Sequence, residues 1–140
     1  VGQLYAAQPL VTVGKPPLSD ISYSPDGRFL TTLVNAYVKP YIELLDAETF
    51  VSVGRIDGAD GEQLTYSPDG RWFAVFGHKG IQIWEVDARR LLETIPVDIQ
   101  MTTSFSPAQL VIFSPDGKYL AYAVGDSVSV WAIAQRQTTL

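Results

Sequence analysis

Tyr66–Gly70 reads Tyr-Ser-Pro-Asp-Gly, and this stretch decides the fold because the chain contains its pattern three times. The other two copies are Tyr23–Gly27 and Phe113–Gly117. Proline fits the second position of a type I turn, Ser and Asp side chains bond to neighbouring backbone amides, and glycine accepts the positive φ that begins the return strand. Each copy therefore predicts the tip of a β-hairpin.

The repeated unit extends beyond the turn. Each turn is followed by a basic residue, an aromatic residue and an apolar run, as in Arg71, Trp72 and Phe73–Phe76. The turns recur at a spacing of about 45 residues, close to the period of roughly 40–45 residues of four-stranded propeller blades. The apolar run has no polar face, which is typical of a strand in a sheet covered on both sides. The sequence therefore predicts stacked β-sheets without helices.

The predicted strands follow the same order in each unit. In the first unit they are Ile21–Ser24, Phe29–Val34, Tyr41–Asp46 and Phe50–Ile56. In the second unit they are Leu64–Ser67, Trp72–Gly77, Ile81–Glu85 and Leu91–Val97. In the third unit they are Val111–Ser114, Tyr119–Val124 and Val128–Ile133, with a fourth strand only beginning at Thr138. A further short strand, Gln8–Gly14, precedes the first unit.

The composition indicates a folded chain and limits its chemistry. Of the 140 residues, 46% are hydrophobic and 18% are charged, which argues against disorder. The net charge of −5 would repel a phosphate backbone, so we expect no nucleic-acid partner. The absence of cysteine excludes a thiol nucleophile, a disulfide and a Cys-based metal site. No apolar run approaches the roughly 18 residues that span a bilayer, so we expect no membrane insertion.

The order of turn, strand, Ile-Gln-Ile-Trp-Glu at Ile81–Glu85 and Val-Ser-Val-Trp at Val128–Trp131 resembles WD40-type repeats. The resemblance covers residues 21–140. It implies a β-propeller whose blades are sheets of four antiparallel strands, with no cofactor. The repeats are divergent, because no Gly-His pair precedes a first strand and the Trp-Asp pair of the family is replaced at Leu45-Asp46, Trp84-Glu85 and Trp131-Ala132.

Residues 1–140 are expected to form a partial propeller of about three blades. Residues 8–20 supply a strand of a preceding blade and a loop, and residues 21–63 form the first blade. Residues 64–110 form the second blade with a long loop, and residues 111–140 form an incomplete third blade. Known propellers have about four to eight blades, so the ring is incomplete. We expect either a longer parent chain or two copies that close a ring.

The residues that could serve in catalysis or metal binding are better explained by structural roles. His78 is the only histidine, and a Ser-His-Asp triad would also need a nucleophile on a strained turn, for which the sequence offers no pattern. The acidic stretch Asp57–Glu62 has Ala59 where a calcium loop needs Asp or Asn. Trp84 and Trp131 lie on central strands, where core packing is expected. We therefore predict no catalytic residue, no metal ligand and no enzyme activity.

A candidate partner-binding face follows from the resemblance, because WD40 propellers commonly bind through the loops that join second to third strands and fourth to first strands. Exposed aromatic, methionine and basic residues are what interface centres favour. The alternative for the long loop is that its apolar residues pack under the loop itself. The candidate residues are Tyr37, Lys39, Tyr41, His78, Lys79, Ile99, Met101 and Phe105.

The function expected from these observations is a non-catalytic scaffold that contacts a protein or a peptide. One alternative is a regulatory or substrate-gating propeller segment of a larger hydrolase. Another is a ligand-binding propeller of an exported bacterial protein. The sequence leaves the compartment open between the cytoplasm and export.

Overall fold

A computed structural model of the chain describes residues 18–34, 39–59, 61–77, 80–97, 110–124, 126–133 and 137–139. All strands within these ranges belong to three four-stranded antiparallel sheets, and the same ranges contain no helix. The predicted all-β fold is confirmed. The predicted strand Gln8–Gly14 lies outside the described residues.

The three sheets follow the repeat, and we call them blades 1, 2 and 3. Blade 1 contains β1 (Leu18–Tyr23), β2 (Phe29–Val34), β3 (Tyr41–Asp46) and β4 (Ser52–Asp57). Blade 2 contains β5 (Gln63–Tyr66), β6 (Trp72–Gly77), β7 (Gly80–Glu85) and β8 (Arg90–Ile95). Blade 3 contains β9 (Leu110–Phe113), β10 (Tyr119–Val124), β11 (Ser127–Ala132) and β12 (Gln137–Thr139).

The Ser-Pro-Asp-Gly stretches form the three predicted hairpin turns. In the second turn the Gly70 amide donates to the Ser67 carbonyl at 2.9 Å, and the Ser67 amide donates to the Trp72 carbonyl at 2.8 Å. Gly70 has a φ of 75°, and its counterparts Gly27 and Gly117 have similar positive values. The positive φ that favours glycine therefore occurs at the same position of the turn in every blade.

Eight of the twelve strands differ from the predicted bounds by one to three residues, and β4 and β12 are two examples. The strand β4 begins at Ser52 and not at Phe50, because Phe50 has a φ of 60° and its amide donates to the Asp46 carbonyl at 2.8 Å. Phe50 therefore belongs to the turn between β3 and β4. The strand β12 contains three residues, whereas the fourth strands of blades 1 and 2, β4 and β8, contain six residues each.

The core consists of two layers, one on each side of blade 2. The first layer is one cluster of buried residues from blades 1 and 2, and it includes Leu33 of β2 and Phe73 of β6. The second layer is one cluster of buried residues from blades 2 and 3, and it includes Phe76 of β6 and Leu120 of β10. The first strands β1, β5 and β9 are neighbours, as expected for the inner strands of a propeller. The chain is therefore a partial propeller.

Candidate functional site

The antiparallel order gives each blade two ends with different chemistry. The turn end carries the Ser-Pro-Asp-Gly turns and the turns between third and fourth strands, including residues 46–51 and 85–90. The loop end is the opposite end, where residues 35–40 join β2 to β3 and residues 58–62 join β4 to β5. The sequence predicts that the candidate partner-binding face lies at the loop end.

Two of the eight candidate residues fall within the described part of the chain. Lys39 is exposed and Tyr41 is half-buried, and both lie at the loop end of blade 1. The assignment of this face stays a prediction for the other six, which lie outside the described residues: Tyr37, His78, Lys79, Ile99, Met101 and Phe105.

Tyr41 is the centre of a group of side chains that we call the loop-end cluster, formed by Tyr41, Arg55 and Asp57. The Arg55 guanidinium lies 3.8 Å from the centroid of the Tyr41 ring. Its Nε atom donates to the Asp57 carboxylate at 2.7 Å. The Arg55 side chain is 48% exposed and the Asp57 side chain is 75% exposed. The cluster therefore presents a stacked aromatic ring and an ion pair to solvent at a fixed position.

Arg55 is not among the candidate residues that the sequence predicts for the partner-binding face. Tyr41 pairs with Asp57 across β3 and β4, and Glu43 pairs with Arg55. Arg55 is thus a diagonal neighbour of Tyr41, which is within reach for long side chains. Arg55 lies in the predicted strand Phe50–Ile56 and Asp57 directly follows it. This alternation of charged residues is the signal that could have identified them, once the register of the hairpin was known.

At the turn end, polar side chains are held by intramolecular bonds. Arg28 donates to Asp26 at 2.6 Å within its own turn and to Asp87 of blade 2 at 3.1 Å. Partial burial raises the pKa of Asp26, but bonds from Ser24 and Arg28 outweigh this effect and hold it below its usual value. Arg71 lies over the Trp72 ring, with its guanidinium carbon 5.2 Å from the centroid. These basic residues therefore stabilise the blades and their junction.

The aspartates of the other two turns accept hydrogen bonds within their own turns, as predicted. Asp69 accepts hydrogen bonds from the Ser67 hydroxyl at 2.8 Å and from the Arg71 amide at 3.0 Å. Asp116 makes the same bonds to the Ser114 hydroxyl and the Lys118 amide, and the bond from Ser114 is the main cause that lowers its pKa. Their recurrence is explained by turn formation.

The described residues offer no group that is arranged for catalysis or metal binding. Ser67 is fully buried within its turn, so its hydroxyl is inaccessible as a nucleophile. Trp84 and Trp131 are buried, which confirms that they pack in the core. The buried Trp84 Nε1 atom has no hydrogen-bond partner in the described part of the chain.

Two further features are absent from the part of the chain that the structure describes. No three His, Cys, Asp or Glu side chains lie close enough together to hold a metal ion. No helix suited to crossing a membrane is found there either. His78 and Asp60 of the acidic stretch lie outside the described residues.

Comparison with known proteins identifies a relative in sequence. No protein-family model matches the chain. The chain is 30% identical over 112 residues to an uncharacterized WD repeat-containing protein, sll1491, of Synechocystis sp.. The match covers 76% of this chain and 29% of the relative. The chain thus spans less than a third of the length of the relative that it matches.

Solved structures show the same fold. The WD40 repeats of RRP9 superpose with a TM-score of 0.72 at 20% identity, over 91% of this chain and 39% of that one. Hydrazine synthase of Kuenenia stuttgartiensis superposes with a TM-score of 0.70 at 17% identity, over 96% and 38% respectively. At these identities the likeness establishes the fold and not the activity. The sequence relative and the RRP9 repeats together confirm the WD40-like resemblance.

Proposed function

Because this chain is a segment of a WD40-like β-propeller, we propose that it is a non-catalytic scaffold that contacts another protein or a peptide through its loop end. WD40 repeats generally mediate interactions between proteins. The fold alone is a weak argument for function. The proposal therefore depends on how the two ends of the blades differ.

The loop-end cluster is the observation that carries the proposal. Tyr41 and Arg55 stack at 3.8 Å, so a partner would meet side chains that are already ordered. Preorganised side chains lose less conformational entropy on binding. Tyrosine and arginine are also the residue types that most often dominate binding energy at interfaces. Lys39 extends the same exposed surface.

This cluster occurs in blade 1 and is not part of the repeat. The positions that correspond to Tyr41 and Arg55 in blade 2 hold Gly80 and Thr94. Residues that only support the fold recur in every blade, as the turn serines and aspartates do. A group that the fold does not require in the other blades is a better candidate for recognition.

The substitution Arg55→Ala tests the proposal. It removes the stacked guanidinium and an exposed ion pair, which contributes at most about 1 kcal/mol to stability. We expect partner capture by the protein that carries this segment to fall by roughly tenfold or more, since interface arginines are frequent hot spots. Capture from an extract of the source cells is measured by quantitative mass spectrometry, and the melting temperature is measured beside it.

Arg71→Ala is the matched control, because it removes an exposed arginine that also lies over an aromatic ring, but at the turn end. Capture by this variant should stay within about twofold of the unmodified protein. The proposal is wrong if Arg71→Ala abolishes capture while Arg55→Ala leaves it unchanged. In that case the turn end is the contact surface.

A further inference from the structure

The fourth strand of blade 1 contains a β-bulge directly before the residues of the loop-end cluster. Gly54 and Ser52 lie opposite consecutive residues of β3, so Val53 between them is the extra residue. A bulge bends its strand and changes the direction of the side chains beside it. The strand β4 is also the last strand of its sheet and pairs with β3 on one edge. The position of Arg55 over Tyr41 therefore depends on how firmly this bulge is held.

A side chain from blade 2 contacts the bulge. Arg89 lies in the turn between β7 and β8, and its Nη2 atom donates to the Val53 carbonyl at 3.2 Å. Its guanidinium also lies against Gly54, where an added Cβ atom would collide with it. Glycine at this position of β4 therefore leaves the space that the guanidinium occupies.

The repeat does not require this contact. Arg89 has a φ of 53°, in the region that favours glycine. The equivalent turn residue of blade 1 is Phe50, with a φ of 60°. In blade 2 the bulge recurs at Leu92, but Glu93 stands in the place of Gly54. The contact between Arg89 and Gly54 is thus a feature of the junction between blades 1 and 2 and not of the repeated unit.

We propose that Arg89 is a positioning residue for the loop-end cluster. Tyr41 lies on β3, whereas Arg55 and Asp57 lie on β4, so the geometry of the cluster depends on the relative position of the two strands. Arg89 limits the movement of β4 by bonding its bulge to blade 2. Without this bond, a partner would have to order the cluster at a cost in conformational entropy. The effect on binding rests on the proposed function, whereas the effect on β4 does not.

Two substitutions disrupt the contact from opposite sides. Arg89→Ala removes the guanidinium, and Gly54→Ala displaces it by occupying its space. The guanidinium is the end of a flexible, exposed side chain, so it can move into solvent without straining the backbone. Gly54 has no positive φ, so the strand accepts the added methyl group. Arg90→Ala is the matched control, because Arg90 is an exposed neighbour whose ion-pair partner, Glu85, belongs to its own blade.

Amide hydrogen exchange of residues 52–57 reports on β4, and mass spectrometry measures it on the protein that carries this segment. We expect Arg89→Ala and Gly54→Ala each to speed exchange there by about fivefold, because a charged hydrogen bond is lost. Adding Gly54→Ala to Arg89→Ala should cause no further change, since the methyl group then meets empty space. Arg90→Ala should leave the exchange unchanged. Unchanged exchange in Arg89→Ala would overturn the proposal.

Partner capture tests whether the effect of Arg89 passes through Arg55. The measurement uses the proteins whose capture falls in Arg55→Ala. We expect Arg89→Ala to lower their capture by about threefold, and to have no further effect in the Arg55→Ala background. An equal loss in both backgrounds would indicate a general effect on the fold and would overturn the proposal, as would unchanged capture in Arg89→Ala.

Failure of the proposed function gives a different result. Arg55→Ala would then leave capture unchanged. Faster exchange of residues 52–57 in Arg89→Ala would still support the positioning of the cluster, and unchanged exchange would overturn it.

Discussion

Tyr66 shows how a single side chain connects two blades. Its hydroxyl and the Thr31 hydroxyl of blade 1 are 2.5 Å apart and buried, and its ring meets the Phe73 ring edge to face at 5.6 Å. Burial raises the pKa of Tyr66 to about 12, although the bond to Thr31 acts in the opposite direction. The neutral phenol is therefore part of the folded state.

A pH dependence of stability follows from this buried phenol. Below pH 10 the tyrosine is protonated in both the folded and the unfolded chain, so the stabilisation is fully present. Between pH 10 and pH 12 the unfolded chain ionises first, and the free energy of unfolding should fall by on the order of 2 kcal/mol. Urea unfolding at several pH values measures this change.

Tyr66→Phe separates this effect from the ionisation of other groups. The variant should lose about 1–2 kcal/mol at pH 7, because the Thr31 hydroxyl is left buried without its partner. Its stability should then decline less steeply than that of the unmodified chain above pH 10. Equal slopes for the two chains would show that the pKa of Tyr66 is the same in the folded and the unfolded chain, which would contradict the effect of burial.

At the scale of the hairpin, the turn serine holds the two strands together. The Ser67 hydroxyl donates to Asp69 and accepts from the Trp72 amide at 3.0 Å, and the residue is fully buried. Ser67→Ala should destabilise the chain by about 1–3 kcal/mol, because a buried amide loses its acceptor. Chemical unfolding followed by tryptophan fluorescence measures the loss.

Ser114→Ala is the matched control, since Ser114 makes the same bonds to Asp116 and the Tyr119 amide but is only half-buried. Water can replace the lost acceptor there, so the cost should be below about 1 kcal/mol. A cost for Ser114→Ala that equals or exceeds the cost for Ser67→Ala would contradict this explanation of the turn.

The hairpins could be predicted from sequence because their causes are local. Proline, serine, aspartate and glycine within one short stretch determine each turn, and the flanking apolar runs determine the strands. The strands Phe29–Val34, Tyr41–Asp46, Trp72–Gly77 and Tyr119–Val124 are found with the predicted bounds. The burial of Trp84 and Trp131 follows from their central strands.

The contacts between strands and between blades could not be predicted in the same way. The stacking of Arg55 on Tyr41 depends on the register of β3 and β4, which shifts between Leu44 and Leu45. The bond from Arg28 to Asp87 joins residues of different blades and depends on how the blades stack. Neither register nor stacking is visible in the residues of one hairpin.

At the scale of the whole molecule, the three blades differ in how much of each is covered. The strands β6 and β7 of blade 2 are buried along almost their whole length. In blades 1 and 3, Ile21, Tyr23 and Val128 are exposed at positions that blade 2 buries. In repeat architectures each unit is stabilised mainly by its neighbours, so the middle blade should be the most stable part.

Amide hydrogen exchange, resolved by strand, tests this stacked arrangement most directly. We would use residues 1–140 at low concentration, so that exchange reports on single copies. The stacking predicts that β6 and β7 exchange most slowly, and that β1 and β11 exchange faster by on the order of tenfold or more. Protection of β1 and β11 equal to that of β6 and β7 in residues 1–140 would contradict the stacking of blade 2 between blades 1 and 3.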